Sequence, residues 1–188
     1  MPITIHIDGR PESEGWDDRK QEFVQLKEVK PIDLELEHSL ISVSKWEAKW
    51  HVPFISKENH TEEQTLDYIK CMTINRNVPD EVYDLLTAPD IKRISEYISD
   101  PMTATKISEG PGSGRSHEII TNEVIYAWMT LLNIPYDPGQ RWHLNHLLTL
   151  INVVNAKNTP PKKMSRDEII RRNKALNEAR KKKYNTKG

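Results

Sequence analysis

The sequence predicts an α+β fold in which a small N-terminal antiparallel sheet precedes a mainly helical body and a detached basic C-terminal helix. Apolar and polar residues alternate over the first 40 residues, whereas apolar residues recur at helical spacing from there to residue 157. After residue 157 the composition changes to prolines and then to lysines and arginines. We therefore predict a β-sheet region over 1–40, a helical body over 41–157, and a linker with a basic helix over 158–188.

Strands are predicted where the alternation is strict, in the segments ITIHID and PIDLELEH, which have the pattern of strands with one buried face. The segment EFVQLKEV predicts a third strand, and the preceding GRPESEGWDDRKQ predicts a polar turn region. The same alternation places Asp33, Glu35 and Glu37 on the outward face of their strand. We therefore expect these carboxylates to be solvated and not to form a catalytic pair.

The first helix is predicted around two tryptophans. Ser44 and Glu47 have the spacing of a capping box, in which each side chain bonds the backbone N–H at the other position, so the helix is expected to begin directly after the serine. Pro53 is expected to stop it. Trp46 and Trp50 then share one face, where they could stack on a base or a sugar. Their position favours an anchor between the sheet and the later helices.

Later helix starts are predicted at capping boxes and at prolines, namely Thr61 with Gln64, Pro79, Pro89, and Ser165 with Glu168. The best candidate for the central core helix is apolar around much of its circumference, at Val124, Ile125, Trp128, Leu131 and Leu132. The clearest amphipathic stripe comprises Leu144, Leu147, Leu148, Ile151 and Val154. We expect Trp128 and Trp142 to be structural anchors. Ile119 and Ile120 predict a brief strand, and EGPGSGRS, residues 109–116, predicts a flexible loop.

No sequence pattern predicts enzymatic chemistry. The chain has no nucleophile elbow, no H-E-x-x-H, no paired C-x-x-C, no P-loop and no kinase motif. Cys71 lies in an apolar helical context that favours packing. His143 and His146 lie three residues apart, but a metal site would need further ligands that no nearby spacing supplies. We therefore predict a non-enzymatic protein without metal or cofactor; an enzyme would require a pocket that joins one of these histidines to acids.

The charge is separated along the chain although the net charge is only -1. From residue 157 onward there are twelve Lys and Arg against three Asp and Glu, a charge of +9, which leaves -10 on residues 1–156. Such asymmetry predicts an acidic or polyanionic partner for the basic segment, or contact of that segment with acidic neighbours in an assembly. A basic amphipathic helix is compatible with nucleic acid, an acidic protein helix or an anionic membrane, and a solvated, partly frayed tail is the alternative without a partner. The predicted partner-binding residues are the cations of the last helix: Arg171, Arg172, Lys174, Arg180, Lys181, Lys182 and Lys183.

The composition of the chain also indicates the cellular compartment of the protein. No apolar run approaches the length of a membrane span, and the first ten residues lack the pattern of a signal peptide. A single cysteine excludes an intrachain disulfide and fits a reducing compartment. The sequence therefore predicts a cytosolic protein without a membrane partner.

Several phrases resemble a family found in tailed bacteriophages, among them LELEHSLISVSKWEAKWHVPF, EIITNEVIYAWM, IPYDPGQRWHLNHLLTLINVVNAKN and the ending from PPKKM onward. The likeness runs from about residue 34 to the C-terminus and includes the basic end and eight pattern residues: Trp46, Trp50, Pro53, Met102, Thr103, Trp128, Trp142 and Leu144. Such proteins resemble tail assembly chaperones. The resemblance implies action in the host cytoplasm and binding to the tape-measure protein or another tail protein.

Other functions remain compatible with these sequence features. A structural virion protein of the tail or head-to-tail connector would use the basic segment to bind a neighbouring subunit, and a homo-oligomer is also compatible with it. A nucleic-acid-binding module would use Trp46, Trp50 and the basic segment, although the net acidity of the body makes nucleic acid an unfavourable partner.

Overall fold

The structure, a computed structural model, describes residues 2–17, 21–55, 59–105, 119–158 and 166–184. It has the predicted α+β class, and the strands are β1 (Ile3–Ile7), β2 (Ser13–Asp17), β3 (Glu22–Leu26) and β4 (Ile32–Leu36). The helices are α1 (Leu40–Trp50), α2 (Glu62–Met72), α3 (Ala88–Ser99), α4 (Asn122–Leu131), the single turn α5 (Tyr136–Gly139), α6 (Leu144–Asn158) and α7 (Arg166–Tyr184), with a 3₁₀ helix at Asp80–Leu85. The chain divides into two compact units, Met1–Val154 and Asn155–Gly188.

The strands form two antiparallel pairs. β1 pairs with β4, and β2 pairs with β3 as a separate two-stranded ribbon. The ribbon continues towards the first pair through a bridge in which Arg10 and Val29 exchange both backbone hydrogen bonds at 2.7 Å. The prediction of a polar turn region was wrong for β2, because backbone pairing with β3 makes a strand from a polar sequence. The Leu26 side chain of the opposite strand occupies the space beside Gly15, where a Cβ would lie 2.5 Å from its Cδ1.

β4 is covered on its other edge by the segment that follows α2. The Ile74 N–H donates to the Glu35 carbonyl at 2.8 Å, and the Asn75 side chain accepts from the Glu35 N–H at 2.7 Å. The Asn75 amide also donates to the Asp33 carbonyl at 3.1 Å. These bonds satisfy backbone groups that an uncovered edge strand would expose.

The start of α1 differs from the prediction. Its N-cap is Ser39, whose side chain accepts from the Ser42 N–H at 3.3 Å, and Ser44 lies inside the helix. The capping box between Ser44 and Glu47 was therefore wrong, because Glu47 is buried and bonds to groups outside α1. The helix ends as expected before Pro53, at His51 in the left-handed conformation.

The apolar core joins the β1–β4 pair to the helices. Its fully buried members include Ile5, Leu34, Leu36, Leu40, Val43, Trp46, Ile125, Met129 and Leu147. The predicted stripe of α6 is confirmed at Leu144, Leu147 and Ile151, which are buried. The prediction for α4 was wrong at Leu131, which is 77% exposed, because the buried side of the helix carries Ile125 and Met129, with Trp128 and Leu132 partly buried beside them.

Four further predictions concern individual segments of the chain. Ile119 and Ile120 do not form a strand, and Ile119 is 61% exposed. The predicted loop over 109–116 lies outside the described residues, as does Ser165 of the third predicted capping box. The short helix predicted to begin at Pro79 is present, and it is a 3₁₀ helix over Asp80–Leu85.

The capping box at α2 is confirmed: the Gln64 N–H donates to Thr61 Oγ1 at 3.2 Å, and the Thr61 N–H donates to Gln64 Oε1 at 3.2 Å. We expect Thr61→Ala to lower the free energy of unfolding by about 1 kcal/mol, because it removes the acceptor of a first-turn N–H. Urea denaturation measures this change. Thr65→Ala, on the exposed side of the same helix, is the matched control and should lose less than about 0.5 kcal/mol.

Candidate functional site

Trp46, the first tryptophan of α1, is enclosed within the protein. Trp46 has no exposed surface. Its ring centroid lies 5.1 Å from that of Phe54 and 5.0 Å from that of His60. Its Nε1–H donates to the Gln64 carbonyl at 2.9 Å. Because the indole is enclosed and its polar atom is bonded, Trp46 cannot stack on a nucleobase.

The other three predicted anchors are half-buried and pack against the core. Trp50 Nε1–H donates to the Asp67 carboxylate at 2.9 Å, and Lys49 forms an ion pair with the same carboxylate. These contacts join α1 to α2. Trp142 contacts the His146 ring at a centroid distance of 5.6 Å, while Trp128 lies beside the buried face of α4.

Glu47 holds three segments together from inside the molecule. Its Oε1 accepts from the Phe54 N–H at 2.7 Å. Its Oε2 accepts from the backbone and side-chain N–H groups of Asn122 at 2.8 and 2.6 Å. A buried carboxylate with three donors, one of them in the first turn of α4, is a structural brace between α1 and α4.

A second buried polar cluster forms where the chain leaves β4. The Leu144 N–H donates to the His38 carbonyl at 2.7 Å, and Ser39 bridges to His143, so the end of β4 lies beside the start of α6. This backbone pairing brings the rings of His38 and His143 to a centroid distance of 5.1 Å. His38 Nδ1 lies 2.5 Å from the Tyr68 hydroxyl. The cluster therefore unites residues that are far apart in the sequence.

Both histidines of this cluster are neutral near pH 7. Burial lowers the pKa of His38 to about 3, and the neighbouring His143 lowers it further. Burial also lowers the pKa of His143. His143 Nε2 lies 3.0 Å from the Tyr97 carbonyl, and Nδ1 lies 3.3 Å from the Asn145 N–H. A carbonyl can only accept, so Nε2 carries the proton and Nδ1 accepts.

Glu37 completes the cluster, contrary to the prediction that it is solvated. It is only 9% exposed, and its Oε1 accepts from the Tyr97 hydroxyl at 2.5 Å. Burial raises the pKa of Tyr97, and the hydrogen bond to Glu37 raises it further, so the hydroxyl remains a donor. The alternation failed here because β4 ends at Leu36, and the next residue no longer follows the strand period.

An open cleft of about 410 Å³ lies against this cluster. It is lined by Pro2, Glu37, Met102, Arg141, Trp142, His143 and His146. A second cavity of about 250 Å³ shares Glu37 and Arg141 with it. The structure thus places His143 and His146 around one cleft with an acid. Both ring nitrogens of His143 are engaged in hydrogen bonds, with the Tyr97 carbonyl and the Asn145 N–H.

Metal-binding chemistry has no obvious location in the described part of the chain. No group of three or more His, Cys, Asp or Glu residues there could hold a metal ion. Cys71 is half-buried, and burial raises the pKa of its thiol. A raised pKa leaves less thiolate at neutral pH, which disfavours a nucleophilic role.

The predicted partner-binding cations all lie on α7. Each of its 19 residues is exposed, and it carries eight Lys and Arg against three Asp and Glu, a net charge of +5. Its larger exposed apolar residues are Ile169, Ile170, Leu176 and Tyr184. The helix thus offers positive charge together with apolar contact area.

Sequence reasoning missed the buried polar residues Glu37, His38, Tyr68 and Tyr97. A signal existed for Tyr97, which lies three residues after the buried Ile94 and one before Ile98, on the apolar stripe of α3. No comparable signal existed for Glu37 and His38, because they follow a strand and precede a helix cap.

No helix in the described ranges combines the length and apolar character that crossing a membrane requires. The geometry defines an α+β protein with a buried polar cluster beneath an open cleft and with an exposed basic helix. Comparison with protein-family models, with curated proteins and with solved structures finds no match to this chain.

Proposed function

We propose that this protein is a non-enzymatic tail assembly chaperone of a tailed bacteriophage, which binds the tape-measure protein through α7 in the host cytoplasm. The observation that carries the proposal is the exposure of every residue of α7 in combination with its net charge of +5. The family resemblance of the sequence supplies the identity of the partner. The exposed helix supplies a surface with which to bind it.

Binding through α7 would involve electrostatic attraction first and apolar contact second. The cations of α7 would attract an acidic segment of the partner and accelerate association, an effect that salt weakens. The four exposed apolar residues of α7 would then bury surface against an apolar stripe of a partner helix and slow dissociation. A long helical protein that must be covered before assembly suits such a reversible interaction.

The buried position of Trp46 disfavours a nucleic-acid-binding module in which this tryptophan stacks on a base. Base stacking needs an accessible aromatic face, and Trp46 has none. Stacking from α1 would be limited to the half-buried Trp50, whose Nε1–H is already bonded to Asp67.

The proposal is tested by co-expression with the tape-measure protein and pull-down at low and high salt. Replacing Arg180, Lys181, Lys182 and Lys183 with glutamine should weaken binding at low salt at least tenfold. The matched control replaces four exposed cations of the first unit: Lys30, Arg76, Lys92 and Arg93. Equal losses in the two variants would contradict a specific role of α7. Recovery of the protein in purified virions by mass spectrometry would instead identify it as a structural subunit.

Deletion of residues 165–188 separates binding from folding. Because no residue of α7 is buried, we expect the thermal transition of the shortened chain to shift by less than about 3 °C while tape-measure binding is lost. Calorimetry and the same pull-down measure the two effects. A large fall in the transition temperature would mean that this segment stabilises the fold.

A further inference from the structure

Glu37 has a property that its structural contacts do not explain. Its carboxylate is nine-tenths buried, yet only Oε1 has a hydrogen-bond donor, the Tyr97 hydroxyl at 2.5 Å. No donor among the described residues bonds to Oε2. Glu47, the other buried carboxylate, has three donors over its two oxygens. Oε2 is not among the enclosed side-chain atoms of the described residues, so it lies at the surface of the cleft, where a donor from outside the protein can reach it.

The cleft of about 410 Å³ gives such a donor access to Glu37. Its volume falls within the range of ligand-binding pockets, roughly 300–1,000 Å³. Met102 and Trp142 line the same cleft and provide apolar surface for an alkyl chain, and the rings of Trp142 and His146 provide an aromatic wall. Aromatic rings beside a carboxylate favour a cationic ligand.

Around the cleft the acidic groups outnumber the basic ones: Glu37 and Asp100 act on His143 as negative charges, against the single positive charge of the N-terminus. Arg141 lines the cleft too, but its Nε lies 3.0 Å from Oδ1 of Asp137, which offsets its charge. His143 does not compete, because its lowered pKa keeps it neutral. The neighbouring 250 Å³ cavity is less suitable, since Lys45 lines it in addition to Arg141.

We propose that this cleft binds an ammonium or guanidinium group, with Glu37 Oε2 as the acceptor and with Met102 and Trp142 against the alkyl stem. The ligand is either a lysine or arginine side chain of a peptide or a free alkylamine, and the two share this chemistry. The site is distinct from α7 and has the opposite charge preference, so it adds a second binding activity to the proposed function.

Titration of ¹⁵N-labelled full-length protein, followed by NMR at pH 7, tests the site. The probes are n-butylammonium and the peptide acetyl-Gly-Lys-Gly-amide, and the neutral controls are n-butanol and acetyl-Gly-norleucine-Gly-amide. We expect both cations to shift the Trp142 indole N–H signal saturably, with at least tenfold weaker binding of the matched neutral compound. Tighter binding of the peptide than of the amine would identify a protein side chain as the ligand, and the reverse would identify a small amine. Absence of a saturable shift, or equal binding of charged and neutral probes, would overturn the proposal.

The variant Glu37→Gln tests whether the carboxylate charge of Glu37 is needed for binding. Glu37→Gln retains an acceptor for the Tyr97 hydroxyl but removes the charge, and should weaken binding of both cations at least tenfold. Glu35→Gln, on the exposed face of β4, is the matched control and should bind as the unmodified protein does. Undiminished binding by a folded Glu37→Gln would exclude Glu37 as the acceptor. If that variant does not fold, the comparison of charged with neutral probes on the unmodified protein still shows whether the cleft prefers a cation.

Discussion

Replacing Trp46 with alanine is expected to lower the free energy of unfolding by about 3–5 kcal/mol. The indole has no exposed surface, so its removal leaves a cavity among the rings of Phe54 and His60. The substitution also leaves the Gln64 carbonyl without the donor that lies 2.9 Å away. Chemical denaturation followed by far-UV circular dichroism measures the loss.

The matched control is Trp16→Ala. Trp16 is 53% exposed on β2, where its ring contacts Phe23 at 5.1 Å. Since this ring leaves much of its surface in water, its loss should cost less than about 1 kcal/mol. Similar losses from the two variants would show that Trp46 is not enclosed in the core, and would restore it as a candidate ligand-contacting residue.

Acidification from pH 7.5 to pH 5 should destabilise the fold by about 2 kcal/mol through His38 alone. The pKa of His38 is about 3 in the folded protein, below its ordinary value of 6.5, so the unfolded chain binds this proton first. This contribution to stability is complete above pH 6.5 and declines as the pH falls towards 3. Burial of His143 lowers its pKa and acts in the same direction.

Urea denaturation at a series of pH values measures this dependence. The range should end at pH 5, because Asp80, Glu81 and Glu123 have lowered pKa values and add their own losses as the pH falls further. His38→Gln should flatten the pH dependence, whatever its effect on absolute stability. His6→Gln is the control: His6 is exposed, and its hydrogen bond to Asp33 raises its pKa, which opposes the trend. A wild-type stability that is constant from pH 7.5 to pH 5 would contradict the neutral, buried histidine pair.

Much of the helical architecture could be predicted from local patterns. The box at Thr61 and Gln64 works as expected because its atoms lie within one turn, and the buried stripe of α6 follows the helical period. The box at Ser44 and Glu47 has equally good spacing but is not formed. Glu47 instead bonds to Asn122, 75 residues away, which no local pattern indicates.

The buried polar cluster around Glu37, His38 and His143 also depends on contacts that local sequence patterns do not indicate. The alternating pattern correctly predicted that Leu34 and Leu36 are buried. It wrongly predicted that Glu37 is solvated, because β4 ends at Leu36 and the strand period does not extend to the next residue. The contact of Glu37 with Tyr97 spans 60 residues, and the ring contact of His38 with His143 spans more than 100. Such partners are known only once the chain has folded.

The sequence by itself determined the α+β class, the order of most elements and the separation of charge, because these depend on residue periodicity and composition. Only the tertiary structure decided which polar groups are buried, that Trp46 is enclosed, and that a cleft exposes one oxygen of Glu37. The physical reason is that burial and hydrogen-bond partnership are properties of segments brought together from distant parts of the chain, whereas periodicity and charge are carried by each segment alone.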